Sequence, residues 1–459
     1  MILHCIKIGR RITIPIIVVF ALLPGAGQVC AGSPQPEENS TEPILSNVAV
    51  NGYIKNESAF QLHPPEKFSK IQNLLELELA GDLMDWGEFH LLTWVLYDAV
   101  YDIYSEDFPQ DTINEYGSNF TADKPMDQIF REVYVDIFFE SMDVRLGKQQ
   151  VVWGEATGLR ITDVVNPRDF REFILDDFND SRIPLWMAKL SYYVGDYTFT
   201  GLWIPFFEPD RPALPGSTWE WTFNRIDPPD GVTVVVHDAD KPDTTLGNAE
   251  YGARISGLVS GWNMTLSYLY AWDDMPARHL HFDPPNSQLI VDQRFHRLPV
   301  YGFTFANAFG PFVPRGEFSY YTGKMYNTAN PMAADGLVKR DFIYYMIGTD
   351  YSLSTLLFNF QFIQKVILDY EDEIYEDQVY NNFSFWWQGK FLNETLKPEL
   401  LLIYGANEGG WLIRPKFAYD LTDKITVTAG FDILSGPAWS FFGQFDANDR
   451  IYVEIKYSF

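Results

Sequence analysis

Charged and large apolar side chains are interleaved most densely between Trp153 and Pro184, which reads WGEATGLRITDVVNPRDFREFILDDFNDSRIP. Arg160, Arg168, Arg171 and Arg182 stand among Asp163, Asp169, Glu172, Asp176, Asp177 and Asp180. A guanidinium fork matches a carboxylate in geometry and charge, so these residue types at this density predict a network of ion pairs. Leu159, Ile161, Val164, Val165, Phe170, Phe173, Ile174, Leu175 and Phe178 share the segment. A loop open to water has little reason to carry so many apolar groups. The segment is therefore expected to fold into a hollow interior and narrow it as a constriction; a loop packed over an external mouth is the alternative. Asn166-Pro167 followed by the 168–178 pattern predicts a short helix with proline in its first turn. Carboxylates slightly outnumber arginines here, which predicts weak cation preference.

Other chemistry is sparse. Asp369, Glu371, Asp372, Glu373, Glu376 and Asp377 form one acidic cluster, and Asp227, Asp230, Asp238, Asp240 and Asp243 another. Oxygen ligands at that density could hold Ca²⁺ or Mg²⁺ bridging lipopolysaccharide phosphates, but no EF-hand spacing is present and a solvated charge run is the better reading. His279, His281 and His296 fall in a stretch rich in Pro and Arg that reads as loop, so no metal site is expected. No serine is paired with a histidine by any motif, and no Gly-rich phosphate loop or CxxC pair exists. The chain is read as a non-enzyme with no cofactor. Its formal net charge of −28 argues against nucleic acid as a partner.

The elements that would position these residues are strands. Ile451, Val453, Ile455, Tyr457 and Phe459 alternate with Tyr452, Glu454, Lys456 and Ser458, one apolar face and one polar. The same dyad period runs through 75–79, 132–139, 262–270 and 425–433. Eighteen segments starting near 48, 68, 85, 128, 142, 185, 196, 249, 261, 299, 312, 340, 354, 380, 395, 411, 424 and 450 are expected, with 16 as the alternative because the first two are least defined. Tight turns at 140–143, 194–196, 260–261, 352–354, 393–395 and 421–424 alternate with long stretches near 101–127, 153–184, 207–248, 273–298, 323–339 and 435–449. Short turns at one end and long loops at the other fit a transmembrane antiparallel β-barrel, wide enough for an aqueous channel. Projecting the polar set inward gives a lumen of Glu76, Glu78, Glu132, Asp136, Arg145, Arg254, Asn359, Gln361, Arg414, Lys416, Asp432, Glu454 and Lys456. Aromatic residues, 16% of the chain, suit interface girdles; Trp94, Trp219 and Trp221 are assigned to them.

Residues 1–31 read as a secretory leader: basic Lys7, Arg10 and Arg11, an apolar 12–23, then Val29-Cys30-Ala31 with cleavage after Ala31. Cys5 and Cys30, the only cysteines, would leave with it. Residues 32–46 read as a polar linker and 47–459 as the barrel.

RLGKQQVVWGEATG, DVVNPRDFREF and SRIPLWMAKLSYY, with the ending SFFGQFDANDRIYVEIKYSF, resemble the uncharacterised outer-membrane barrels of a large domain-of-unknown-function family of Gram-negative bacteria. The resemblance is strongest over 142–210 and 435–459. A more distant likeness is to alginate-export barrels, whose strongly basic lumen this chain lacks. The resemblance implies a monomeric barrel with a porin-like or hydrophobic-compound-export role. The terminal aromatic strand is similar to the signature, here Tyr457 and Phe459, that the barrel-assembly machinery reads. The expected function is a channel for passive diffusion of small solutes, in contact with outer-membrane lipid and lipopolysaccharide. The alternative is a non-conducting transporter or export barrel for hydrophobic or polymeric cargo.

Overall fold

The computed structural model of the chain describes residues 44–121, 124, 126–222, 228, 230–333 and 335–459. The expected leader, nearly all of the linker and Asp227 lie outside the described residues. Strands β1 (Leu45–Gln61), β2 (Phe68–Leu83), β3 (Gly87–Asp98), β4 (Phe130–Phe139), β5 (Met142–Gln149), β6 (Leu185–Val194) and β7 (Tyr197–Ile204) come first. They are followed by β8 (Thr233–Val236), β9 (Glu250–Val259), β10 (Trp262–Tyr270), β11 (Ala277–Asp283), β12 (Gln288–Arg294), β13 (Val300–Ala306) and β14 (Phe312–Asn327). The last are β15 (Leu337–Leu353), β16 (Leu356–Ile367), β17 (Val379–Gly389), β18 (Leu396–Gly405), β19 (Gly410–Thr422), β20 (Ile425–Ser435) and β21 (Arg450–Ser458).

All but β8, β11 and β12 form one 18-stranded antiparallel sheet, closed where β21 pairs with β1 from Tyr53↔Ser458 to Gln61↔Arg450. Closure leaves no unpaired edge, which is the condition for a sheet to sit in lipid. Among the described residues no helix is long and apolar enough to cross a membrane. The exterior is apolar instead: Ile54, Leu266, Ile347, Phe360, Phe383, Phe417, Val453 and Ile455 are all exposed. A closed barrel with this exterior is an outer-membrane barrel.

The short turns after β2, β4, β6, β9, β13, β15, β17 and β19 all lie at the end where β21 finishes. The long connections lie at the other. Loop 99–129 carries two short helices, α1 (Val100–Ile103) and α2 (Gln110–Tyr116). β8, β11 and β12 make a separate three-stranded sheet within the long connections. The expected loop near 323–339 is strand at both ends: β14 continues to Asn327 and β15 begins at Leu337. A register shift between Tyr321 and Lys324 carries the polar, Gly-containing stretch through the ladder, and buried Tyr326 lies beyond it.

Candidate lumen site

Residues 150–184 join β5 to β6 and fold into the barrel. Backbone groups of the segment bond to inward side chains in the middle of distant strands. Thr162 N donates to Glu317 Oε2 at 3.0 Å, with its Oγ1 on the same oxygen at 2.7 Å, and Glu155 N donates to the other carboxylate oxygen. Ser319 Oγ donates to Ile161 O at 3.0 Å, and Ser384 Oγ to Thr157 O at 3.4 Å. Three apolar clusters fasten it further. Trp153, Val164 and Val165 pack on Leu185, Met187, Leu202 and Val300. Ile161 packs between Met346 and Ile363. Phe173 and Leu175 pack with Ile403, Leu412, Leu434, Phe442 and Phe445. Each such buried side chain contributes about 1.5–3 kcal/mol over its exposed state, which is why the segment leaves water.

The expected helix over 168–178 is absent. Arg168 and Asp169 extend instead: Asp169 N donates to Ser181 O at 2.7 Å, Phe170 N to Arg211 O at 2.8 Å, and Arg211 N to Arg168 O at 2.8 Å. Phe173 has a φ of 56°, which L-residues adopt rarely and which breaks any helical run there. Helix is confined to Phe178–Ser181. Backbone pairing with another loop won over local propensity.

The segment's charges are spent on one another and on the wall. Arg182 Nε meets Asp163 Oδ2 at 2.9 Å, with Arg160 Nε 3.5 Å from the same oxygen; Arg171 Nε meets Asp169 at 2.9 Å; Arg168 lies 3.8 Å from Asp210. Arg450 Nη1 meets Glu172 Oε2 at 2.8 Å while its Nε meets Asp432 Oδ2 at 2.7 Å; Arg414 holds the other Asp432 oxygen at 2.7 Å. Lys70, 1% exposed, sits 3.1 Å from Glu57, 3.6 Å from Asp176 and 3.8 Å from Glu172. Lys55 lies 3.8 Å from Asp180 and 3.7 Å from Glu454. Asp177 is exposed and borders a cavity on the short-turn side.

The other expected lumen residues also pair. Arg145 grips Asp136 with two bonds of 2.7 and 2.8 Å, and Lys416 lies 3.2 Å from Glu399. Arg254 donates to Val152 O at 3.4 Å, and Glu76 accepts from Trp94 Nε1 at 2.6 Å. Glu132 lies four residues before Asp136 along β4, where the alternation assigns both to the inner face. Lys456 stacks on Tyr53, its Nζ 3.9 Å from the ring centre. Trp94 is thus a lumen residue rather than a girdle residue. Trp219, 1% exposed, packs beside Phe173 and Phe445, and Trp221 packs on Phe170 and Phe441.

Arg131 escapes the alternation. Phe130 pairs with Thr93 and Glu132 with Leu92, so Arg131 is the extra residue of a β-bulge. Its guanidinium lies over Trp94, 3.7 Å from the ring centre, and donates to the carbonyls of Asn179, Asp180 and Arg182. Lys70, Arg450 and Glu317 were also missing from the expected lumen, although each lies on the polar face of its strand.

Three cavities border the segment: one of about 140 Å³ lies toward β1, β2 and β4 beside Lys55, Lys70 and Arg131, and the other two flank the segment. On the long-loop side one of about 520 Å³ lies against Leu159, Phe170, Ile174, Trp272, Tyr321 and Tyr344; on the short-turn side one of about 220 Å³ reaches Arg414, Lys416 and Tyr452. In the long-loop cavity, burial and the neighbouring Asp210 and Glu250 push Asp274 well above the usual carboxylate range, which lowers that wall's negative charge. Above it, His279 lies on β11, not in a loop, its Nδ1 2.6 Å from Asp335 and its Nε2 2.9 Å from His296 Nε2. Among the described residues, no group of three or more His, Cys, Asp or Glu could hold a metal ion. In the acidic cluster, Glu371 pairs with Arg340, and Glu376 with Lys365 at 2.7 Å. At the seam, Phe459 N donates to Gly52 O at 3.0 Å.

The family described as "Protein of unknown function (DUF1302)" matches residues 68–459. No curated protein matches the chain. Among solved structures the chain is similar to a BenF-like porin from Pseudomonas fluorescens Pf-5, at 10% identity and a TM-score of 0.51 over 91% of this chain and 99% of that one. It is similar to OccAB2 of Acinetobacter baumannii at 11% identity and a TM-score of 0.51, over 91% and 98%. OccK3 (OpdO) of Pseudomonas aeruginosa gives 10% identity and a TM-score of 0.51, over 91% and 96%. At these identities the likeness is one of fold.

Proposed function

The chain belongs to this family of unknown function, and on that premise we propose that it is an outer-membrane channel for passive diffusion of small solutes, constricted by residues 153–184. The observation that carries the reading is that the inner segment is tied to wall strands around the barrel and has a cavity on either side. Arg160, Asp163, Arg168, Asp169, Arg171, Glu172, Asp176, Asp177 and Arg182 then shape the constriction, and Glu132, Asp136, Arg145, Arg254, Arg414, Lys416 and Glu454 the wall around it. The long-loop end faces outward. The leader leaves after Ala31, Tyr457 and Phe459 are read by the assembly machinery, and the exterior meets lipid and lipopolysaccharide. The likeness to a BenF-like porin supports the same role.

Replacing Thr162–Ile174 by a short Gly-Ser linker should raise single-channel conductance and relax size selection in planar bilayers. A folded variant whose conductance equals that of the parent chain would sink the constriction. A second reading, a closed barrel that moves hydrophobic cargo, is favoured by the aromatic lining of the larger cavity. It predicts a folded parent chain that is silent in salt.

A further inference from the structure

The two flanking cavities are separated by very little, and what separates them is apolar. Ile174 borders both. Leu159 faces the larger cavity, and Leu401, Ile403 and Leu412 of β18 and β19 close the smaller one. Gly158, with a φ of 85°, lets bare backbone approach this wall; a Cβ there would stand 3.1 Å from Ile403 Cδ1 and 3.2 Å from Ser384 Oγ. Leu159, Ile174 and Leu401 all pack on the same cluster as Ile403 and Leu412.

The opposite side of the segment is held quite differently. Toward β1, β2 and β4 it is bolted by Lys70 to Glu172 and Asp176, by Lys55 to Asp180, and by Arg131 to the carbonyls of Asp180 and Arg182 at 2.8 and 3.0 Å. Opening that side would leave buried charges without partners, the costliest kind of rupture. Opening the β18–β19 side parts the apolar surfaces of Leu159, Ile174, Leu401, Ile403 and Leu412 and strands no charge.

We propose that the conducting gap lies between Leu159–Ile174 and the β18–β19 wall, that it is an apolar bottleneck, and that its solutes are neutral or amphipathic organic molecules with an apolar part. The inference rests on the channel reading above and adds its substrate class. An ion entering such a gap sheds water among Leu159, Ile174, Leu401, Ile403 and Leu412, side chains that offer no ligand to replace it. A molecule with an aromatic or aliphatic part keeps favourable contacts throughout. The larger cavity, several times the ~150 Å³ that holds benzene, has room to receive one.

The test compares the full chain with Ile174→Asp, Leu159→Asp and the milder Ile174→Ser, each checked for folding by heat-modifiable migration. KCl conductance is measured in planar bilayers, and swelling of proteoliposomes in arbutin, a neutral aromatic glucoside, and in sucrose. The parent chain should conduct KCl weakly, admit arbutin faster than sucrose, and gain KCl conductance severalfold in the polar variants; should the Asp variants fail to fold, Ile174→Ser carries the same expectation. Steady KCl conductance in the parent chain, unmoved by the folded polar variants, would overturn the apolar bottleneck and leave the channel reading standing. Exclusion of KCl and arbutin by the parent chain and by the 162–174 replacement alike would overturn both.

Discussion

Arg450 has no water to lean on: it is 2% exposed, and its guanidinium is paired with Asp432 and Glu172. The first is on β20 and the second on the inner segment, so one side chain ties the seam strand to the segment. Replacing it with Ala leaves Glu172 to Lys70 and Asp432 to Arg414 alone, and should destabilise the barrel by about 3–5 kcal/mol. Glu172→Gln, which keeps a hydrogen-bonding partner, should cost less. The urea midpoint of the refolded barrel in lipid vesicles measures both, and equal midpoints for Arg450→Ala and the parent chain would remove the tie. The alternation of β21 places Arg450 with Tyr452 and Glu454, so its inward direction was legible. Its position at the first residue of a strand hid it. Arg131 was not legible at all, because a bulge reverses its face and nothing local marks the extra residue.

Strand periodicity was the strongest signal, and the starts follow it closely: the widest gaps are Leu45 against an expected 48 and Leu337 against 340. Period two survives because every barrel strand has one lipid face and one lumen face, so each residue is decided by its own position. Loops lack that rule. The inner segment's helix pattern lost to pairing with residues 181–183 and 211, and β8 joins the local β11–β12 hairpin only by pairing with β12 across a long sequence separation. The small sheet carries its own prediction. Burial, and then the nearby His279, hold His296 below the ordinary histidine pKa. Such a shift means the fold prefers neutral His296, so its contribution is intact above about 6.5, the ordinary value, and is lost as pH falls through the lowered one. Amide protection factors over 277–298, taken relative to the intrinsic exchange rate at each pH, should therefore fall between pH 7.5 and pH 5 more than those in β15–β16. Replacing His296 by Asn should flatten that difference, and an unchanged pH response in the variant would assign the effect elsewhere.

A closed sheet with an apolar exterior and a charged, paired interior is an inside-out solution for a chain whose solvent on one side is hydrocarbon. Two neighbouring residues of β16 state the consequence. Phe360 is 51% exposed on the outer face, while Gln361, 4% exposed, accepts the Thr157 amide at 3.3 Å inside. Lipid at Phe360 should make a cation there expensive: Phe360→Arg is expected to cost about 2–4 kcal/mol, the range for arginine near the bilayer midplane. Leu353, also exposed but at the β15–β16 turn, lies near the interface, where the same substitution should cost about 0–1 kcal/mol. The contrast is a depth profile, which a water-facing surface cannot produce, since arginine is cheap at every exposed position of a soluble sandwich. Urea titrations of the two variants refolded in vesicles supply the measurement. Equal, small costs at both positions would mean that the outer face does not meet hydrocarbon at all. A large cost at Phe360 alone would set the hydrocarbon band midway along β16, level with the inner segment that meets Gln361 from the other side.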